Sequence, residues 1–350
     1  MRYLIWLLVF VPIAIGAELL HAPPLVIFGC AAAAILPLSG LLGVSTEELA
    51  GHTGPTVGGL LNATLGNLAE LIIAALALRA GLLDLVKASI TGSILGNLLL
   101  VLGASQFAGG LRYKTQNFNP NLAGVSVSLL VIAVIGLVVP ALFHATHPDP
   151  RRVATVRMSE FVAALLVVGY ALSLVYSMWT HRAVFGEGGD IAGGESSPSW
   201  SLPKSLVVLL VSAAGIGYLS ELLVGSTEAA TARLGFSEVF VGLVLVPIIG
   251  NAAEHSSAVL MALKNRMDLA VSIAVGSSTQ VALLIGPLLV FLGLAFGRPM
   301  DLAFSLMEVA SIALAVAIAS AVVRDAESNW LEGALLLLVY GILGVAFFFF

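Results

Sequence analysis

Gly58-Gly59-Leu60-Leu61-Asn62-Ala63-Thr64-Leu65-Gly66-Asn67-Leu68-Ala69-Glu70 and, far downstream, Gly250-Asn251-Ala252-Ala253-Glu254-His255 are two versions of one stretch. Laid together without gaps at an offset of 184, Val57–Gly103 and Val241–Pro287 agree at 15 of 47 positions. Apolar bias alone would match some Leu and Ala. It would not align Gly58 with Gly242, Gly66-Asn67 with Gly250-Asn251, Glu70 with Glu254, Asp84 with Asp268, and Gly92-Ser93 with Gly276-Ser277. Ser45-Thr46-Glu47 likewise matches Ser226-Thr227-Glu228 at an offset of 181. The chain is an internal duplication.

The duplicated segments lie in a chain too apolar to stay in water. Of its 350 residues 59% are hydrophobic and 10% charged, against roughly 25% charged in a soluble domain. The mean hydropathy is +1.06. Net charge is −5 with no basic stripe, so nucleic-acid binding has no electrostatic basis. Cys30 is the single cysteine and sits in an apolar run, which excludes an internal disulfide. A spanning helix needs roughly 20 mostly apolar residues. Eleven runs qualify, at 3–20, 24–42, 57–79, 84–108, 121–143, 159–180, 204–226, 238–263, 269–293, 301–323 and 331–350. None alternates at period two, so a β-barrel is disfavoured. The first run reads as a spanning helix rather than a signal peptide, because no small-x-small cleavage site follows it.

The expected fold is therefore an all-α polytopic membrane protein with about 11 transmembrane helices. One transmembrane domain fills 1–350: an extra N-terminal helix (1–23), a first half (24–182), a Gly-, Ser- and acid-rich linker (183–203) and a second half (204–350). Equivalent helices lie five crossings apart. Five is odd, so the two copies thread the membrane in opposite directions, an inverted repeat of the kind found in secondary transporters. Eight basic residues on one side against seven on the other place the N-terminus in the cytoplasm.

A carboxylate at membrane depth costs several kcal/mol, roughly 3 upward, and needs compensation. Asn67 and Glu70 are three residues apart and share a helical face; Asn251 and Glu254 repeat the geometry, and Ser257 continues the second stripe. Gly66 and Gly250 permit a close helix approach or a local break. Gly92-Ser93, Gly96-Asn97 and Gly276-Ser277-Ser278-Thr279-Gln280 add side-chain oxygens on glycine-interrupted spans. Two carboxylates, amides and hydroxyls form a hard oxygen set suited to Ca2+. One Ca2+ or two protons neutralise the glutamate pair, whereas the empty dianion is costly to enclose, which makes exchange obligatory. His255 reads either as a proton relay or as a histidine bonded to a neighbouring helix. Glu47, Glu228 and Glu221 read as an acidic vestibule that gathers cations. Asp84 and Asp268 read as helix N-caps. Glu308 is an intramembrane acid whose packing and proton roles the sequence does not separate.

The two glutamate segments resemble the signature repeats of the calcium/proton exchanger family within the cation/calcium exchanger superfamily, and the resemblance covers nearly the whole chain. It implies an antiporter moving Ca2+ against protons, with Glu70 and Glu254 as the cation and proton ligands. It also implies that Asn97 and Gln280 stabilise kinked helices beside them. It suggests a prokaryotic plasma-membrane member. No enzyme activity and no cofactor beyond the transported Ca2+ are expected; the partners are Ca2+, H+ and the lipid bilayer, and a homo-oligomer stays open. A sodium-coupled exchanger and a cation channel are the competing readings. Glycine four residues before each glutamate, and histidine after the second, favour protons over sodium.

Overall fold

The computed structural model describes residues 4–147, 152–181 and 198–350. The linker expectation falls mostly on 182–197, outside the described residues. The described chain is helical apart from one short ribbon. Among the described residues eight helices are long and apolar enough to cross a membrane. A ninth span follows if the segments Glu238–Ala252 and Glu254–Leu263, bent by 66°, are taken as one. Two shorter apolar helices, Ile5–Leu19 and Leu306–Val322, occupy two further expected runs. The molecule is an integral membrane protein built of helices.

The described residues form two compact units, each drawing on both copies of the repeat. The first takes the residues up to Ser89 and those from Pro198 to Glu254; the second takes Ile90 to His181 and His255 to Phe349.

The first unit contains α1 (Phe10–Leu19), α2 (Pro24–Thr53), α3 (Pro55–Leu65), α4 (Leu68–Ala80), the start of α5 (Leu83–Leu95), α9 (Leu202–Leu234) and the start of α10 (Val246–Leu263). Helices α2 and α9 pack along one another, α9 also packs on α4, and α2 on α1 and α3. Between apolar helices in lipid the hydrophobic effect gives little attraction, so close packing of small residues must supply it. The buried alanines Ala31 and Ala34 serve this on α2. On α9, a methyl at Gly215 would lie 3.0 Å from a Leu38 methyl. Both helices outrun their expected limits at 42 and 226. Ser45 and Thr46 bond back to Leu42 O, and Ser226 and Thr227 to Leu222 O and Leu223 O, so these hydroxyls satisfy themselves and the helices continue. The end of α2 also grips the chain entering α9: the Glu48 carboxylate accepts from Ser199 Oγ and Trp200 N, and His52 Nε2 meets Trp200 O at 2.8 Å.

The second unit contains the end of α5, a π-helical turn (Gly96–Val101), α6 (Leu102–Tyr113), β1 (Thr115–Asn117), α7 (Pro120–Thr146) and α8 (Val153–Val175). It continues with a π turn at Tyr176–Thr180, α11 (Met267–Gln280), a further π turn (Val281–Ile285), α12 (Gly286–Ala295), α13 (Leu306–Val322), β2 (Glu327–Asn329) and α14 (Trp330–Phe348). Strand β1 pairs antiparallel with β2, Gln116 opposite Ser328. This ribbon was not expected from the apolar pattern. It forms where two polar connections meet at one end of the unit. At the other end the Arg152 guanidinium binds the Asp301 carboxylate at 2.9 Å, and Leu302 N donates to Ser159 Oγ.

Helix α14 packs on α6 through glycines. A methyl at Gly110 would fall 2.2 Å from Trp330 N, and one at Gly333 2.2 Å from Phe107 N. Both contacts are with backbone, which cannot yield cheaply. We therefore expect Gly110→Val to destabilise the protein by about 1–3 kcal/mol through overpacking. Gly341→Ala, where the added methyl meets nothing within 4 Å, should leave the melting temperature in detergent unchanged.

Candidate cation site

Glu70 lies in the first turn of α4, directly after the break at Gly66-Asn67 that ends α3. The two options open to the repeat glycines are each realised once: the chain breaks at Gly66, whereas at Gly250 it is approached closely. A methyl at Gly250 would sit 3.3 Å from Glu70 Oε1 and 3.4 Å from its Cγ, so the Glu70 side chain rests on the bare backbone of the other copy. Glu70 is 8% exposed and its Oε1 is buried without a hydrogen-bond partner among the described residues. Its charge is felt by Glu254, on the same unit's α10. Asn67 and Asn251 are buried, each three residues ahead of its glutamate. The first unit thus brings together Glu70, Glu254 and Gly250, with Gly66, Asn67 and Asn251 flanking the glutamates along their own helices. The 66° bend of α10 falls between Ala252 and Glu254.

In the second unit polar positions of the two copies meet each other. Asn97 Nδ2 donates to Ser277 Oγ at 2.9 Å, and both are buried, as is Ser93. Asn97 lies in the π turn Gly96–Val101, and Gln280, half-buried, immediately precedes the π turn Val281–Ile285; such turns recur at functional sites. His255 and Ser257 are half-buried on α10, and His255 Nε2 has no hydrogen-bond partner among the described residues.

The acids fall into different settings. Glu47 and Glu228 are exposed and lie well along α2 and α9 rather than at their entries, because both helices are long. Glu238 feels the charges of both Glu228 and Asp84, a grouping missed in the sequence because residue 238 has no acidic repeat partner. Glu221 is exposed on α9 and neighbours Tyr218, whose hydroxyl donates to Glu18 on α1. Asp268 is not an N-cap: it sits in the first turn of α11, and its carboxylate accepts from Asn119 N at 2.5 Å across the fold. Glu308 caps the start of its own helix. Its Oε2 accepts from Ser305 N, Ser305 Oγ accepts from Glu308 N, and Thr91 Oγ1 donates to Glu308 Oε1 at 3.2 Å. This capping box closes the exposed amides at the start of α13. Among the described residues no three His, Cys, Asp or Glu side chains converge on one point where they could hold a metal ion.

The chain matches the sodium/calcium exchanger protein family over residues 23–179 and 204–349, one match on each half. It belongs to that family. Members similar to this exchanger include the Ca2+/H+ antiporter of Synechocystis, 44% identical over 98% of this chain and 96% of the relative. The Ca2+/H+ antiporter ChaA of Bacillus subtilis is 40% identical over 97% and 96%. Among solved structures, native YfkE superposes with a TM-score of 0.84 at 37% identity, covering 99% of this exchanger and 100% of YfkE.

The Glu308 arrangement predicts a purely structural phenotype. Glu308→Ala should cost about 1 kcal/mol through loss of the cap. It should lower the melting temperature while leaving exchange per folded molecule intact, as measured in proteoliposomes with the folded fraction quantified.

Proposed function

We propose that this exchanger moves Ca2+ against protons by alternating access, with Glu70 and Glu254 binding either one Ca2+ or protons. The observation that carries the reading is the seating of the Glu70 carboxyl group against Gly250, within electrostatic reach of Glu254. Two carboxyl groups so placed gain when a divalent cation or two protons enter and lose when both leave. Loaded forms can be enclosed and the empty one cannot, which couples the two fluxes. Opposite threading of the two copies provides two related conformations, each opening the site to one side. The names of the relatives, antiporters of Ca2+ and H+, support the same pair of substrates. Asn67 and Asn251 support the glutamates within the first unit, and Ser93, Asn97, Ser277, Gln280, His255 and Ser257 are polar groups within the second. Glu47, Glu221 and Glu228, joined by Glu238 and Asp84, gather cations outside the site. The membrane is a prokaryotic plasma membrane, with the N-terminus in the cytoplasm.

An imposed pH gradient should drive Ca2+ into proteoliposomes with sodium absent. Uptake that requires a sodium gradient would point to the sodium-coupled reading instead. Glu70→Gln and Glu254→Gln should each abolish exchange in assembled protein; near-normal Ca2+ flux in either variant refutes the assignment. Gly250→Ala places a methyl at 3.3 Å from Oε1, displacing the carboxylate, and should raise the KM for Ca2+ with little loss of melting temperature. Pairing Glu228→Gln with Glu238→Gln should slow Ca2+ capture at low ionic strength, and the difference from wild type should fade in high salt as screening removes the attraction.

A further inference from the structure

The second unit holds a group of buried polar side chains that the exchange reaction does not use. Ser105 and Gln106 lie on α6, both fully buried. Gln116 and Ser328 face each other across the β1–β2 ribbon, at 2% and 0% exposure, while their strand neighbours on β1 turn outward. Directly opposed residues of a ribbon project from the same face, and here that face is the inner one. The ribbon folds back onto α6 at Gly109, where a methyl would fall 2.0 Å from Gln116 Oε1. Gly109 is three and four residues beyond Gln106 and Ser105, so all three share one face of α6. Ser105 Oγ, Gln106 Oε1 and Nε2, Gln116 Oε1 and Ser328 Oγ are buried and have no hydrogen-bond partner among the described residues. Gln116 Nε2 is already committed, donating to Ala262 O and Asn265 Oδ1.

The other copy of the repeat is the internal control. At the offset of 184, Gly109 corresponds to Gly293, and there too the following segment folds back: a methyl at Gly293 would fall 2.7 Å from Arg298 O, with Met300 beside it. Ser105 and Gln106 correspond to Leu289 and Val290, both fully buried, and Met300 is 1% exposed. The same architectural corner is filled with apolar side chains in one copy and lined with hydroxyls and carboxamides in the other. The fold itself does not require polarity there.

We propose that this corner, bounded by α6 and the β1–β2 ribbon, is a buried water site. The donor set selects the ligand. A cation would suit the oxygens but not the Gln106 amide N–H, and no carboxylate is among the five atoms. Water donates and accepts, and a buried water ordinarily takes two to four such partners. The water joins the ribbon to α6 by hydrogen bonds that Gln106 and Gln116 do not make directly.

A high-resolution crystal structure of the full chain tests this. Ordered density within hydrogen-bond distance of at least two of the five atoms supports the site. Absence of such density, or direct bonding between the Gln106 and Gln116 carboxamides, overturns it. A variant series gives a second readout. Gln106→Val alone strands the remaining polar atoms and should lower the melting temperature. The double variant Ser105→Leu, Gln106→Val copies the apolar fill of α6's counterpart in the other half while keeping the direct bonds of Gln116, should lose the density and should regain part of the single variant's loss. A double variant that melts no higher than Gln106→Val overturns the proposal.

Discussion

A carboxyl group sunk among apolar side chains must be given a neighbour that makes its burial worthwhile, and in this exchanger the neighbour of Glu70 is bare backbone. Gly250 has no side chain to hold the carboxyl away, so the acid of one copy reaches the helix that carries the acid of the other. Much of the first unit follows from that contact. Helix α4 must begin beside α10, which requires the break at Gly66-Asn67 ahead of it, and α9 must hold α4 in place from behind. A β-carbon at residue 250 would loosen the arrangement at its centre.

The second unit follows a different rule. Its helices are locked by polar contacts at their ends and by glycine contacts along their lengths. Arg152 with Asp301 closes one end; the ribbon and Gln116, bonded to the turn after α10, close the other. Between them Gly103, Gly110 and Gly333 bring α6 and α14 to backbone contact. Ser305 and Glu308 stop the buried start of α13 from exposing its amides. The acids and amides of this unit are thus of two sorts, those that finish helix ends and those, like Asn97 and Ser277, that bond side chain to side chain within the span.

What could be read beforehand was whatever leaves a mark at a fixed spacing. The spans register as apolar runs, the duplication registers as matched glycines and acids, and Glu70 and Glu254 stand out because a charge amid such runs has a cost. Helix ends were less readable. Ser45 and Ser226 look like turn residues, yet each bonds back to its own helix and extends it. Helix α2 and helix α9 also match at Ile35/Ile216, Leu38/Leu219 and Ser39/Ser220, a signal at the offset of 181 that carries the duplication upstream of Ser45 and Ser226. Asp268, Glu238 and Gln116 could not be interpreted because they have partners far away in sequence, at residues 119, 84 and 262. Such pairings leave no periodic trace.

The π turns carry information about descent. Gly96–Val101 and Val281–Ile285 stand at matching places in the two copies, whereas Val241–Leu245 corresponds to ordinary α-helix in α3. A widened turn shared by both halves is most simply inherited from a single ancestor that already possessed it. That ancestor would have been half this length and obliged to pair with a copy of itself, head against tail, to assemble what one gene now encodes. The π turns at Tyr176–Thr180 and Val241–Leu245 are not shared by the other copy, and there the two halves have diverged.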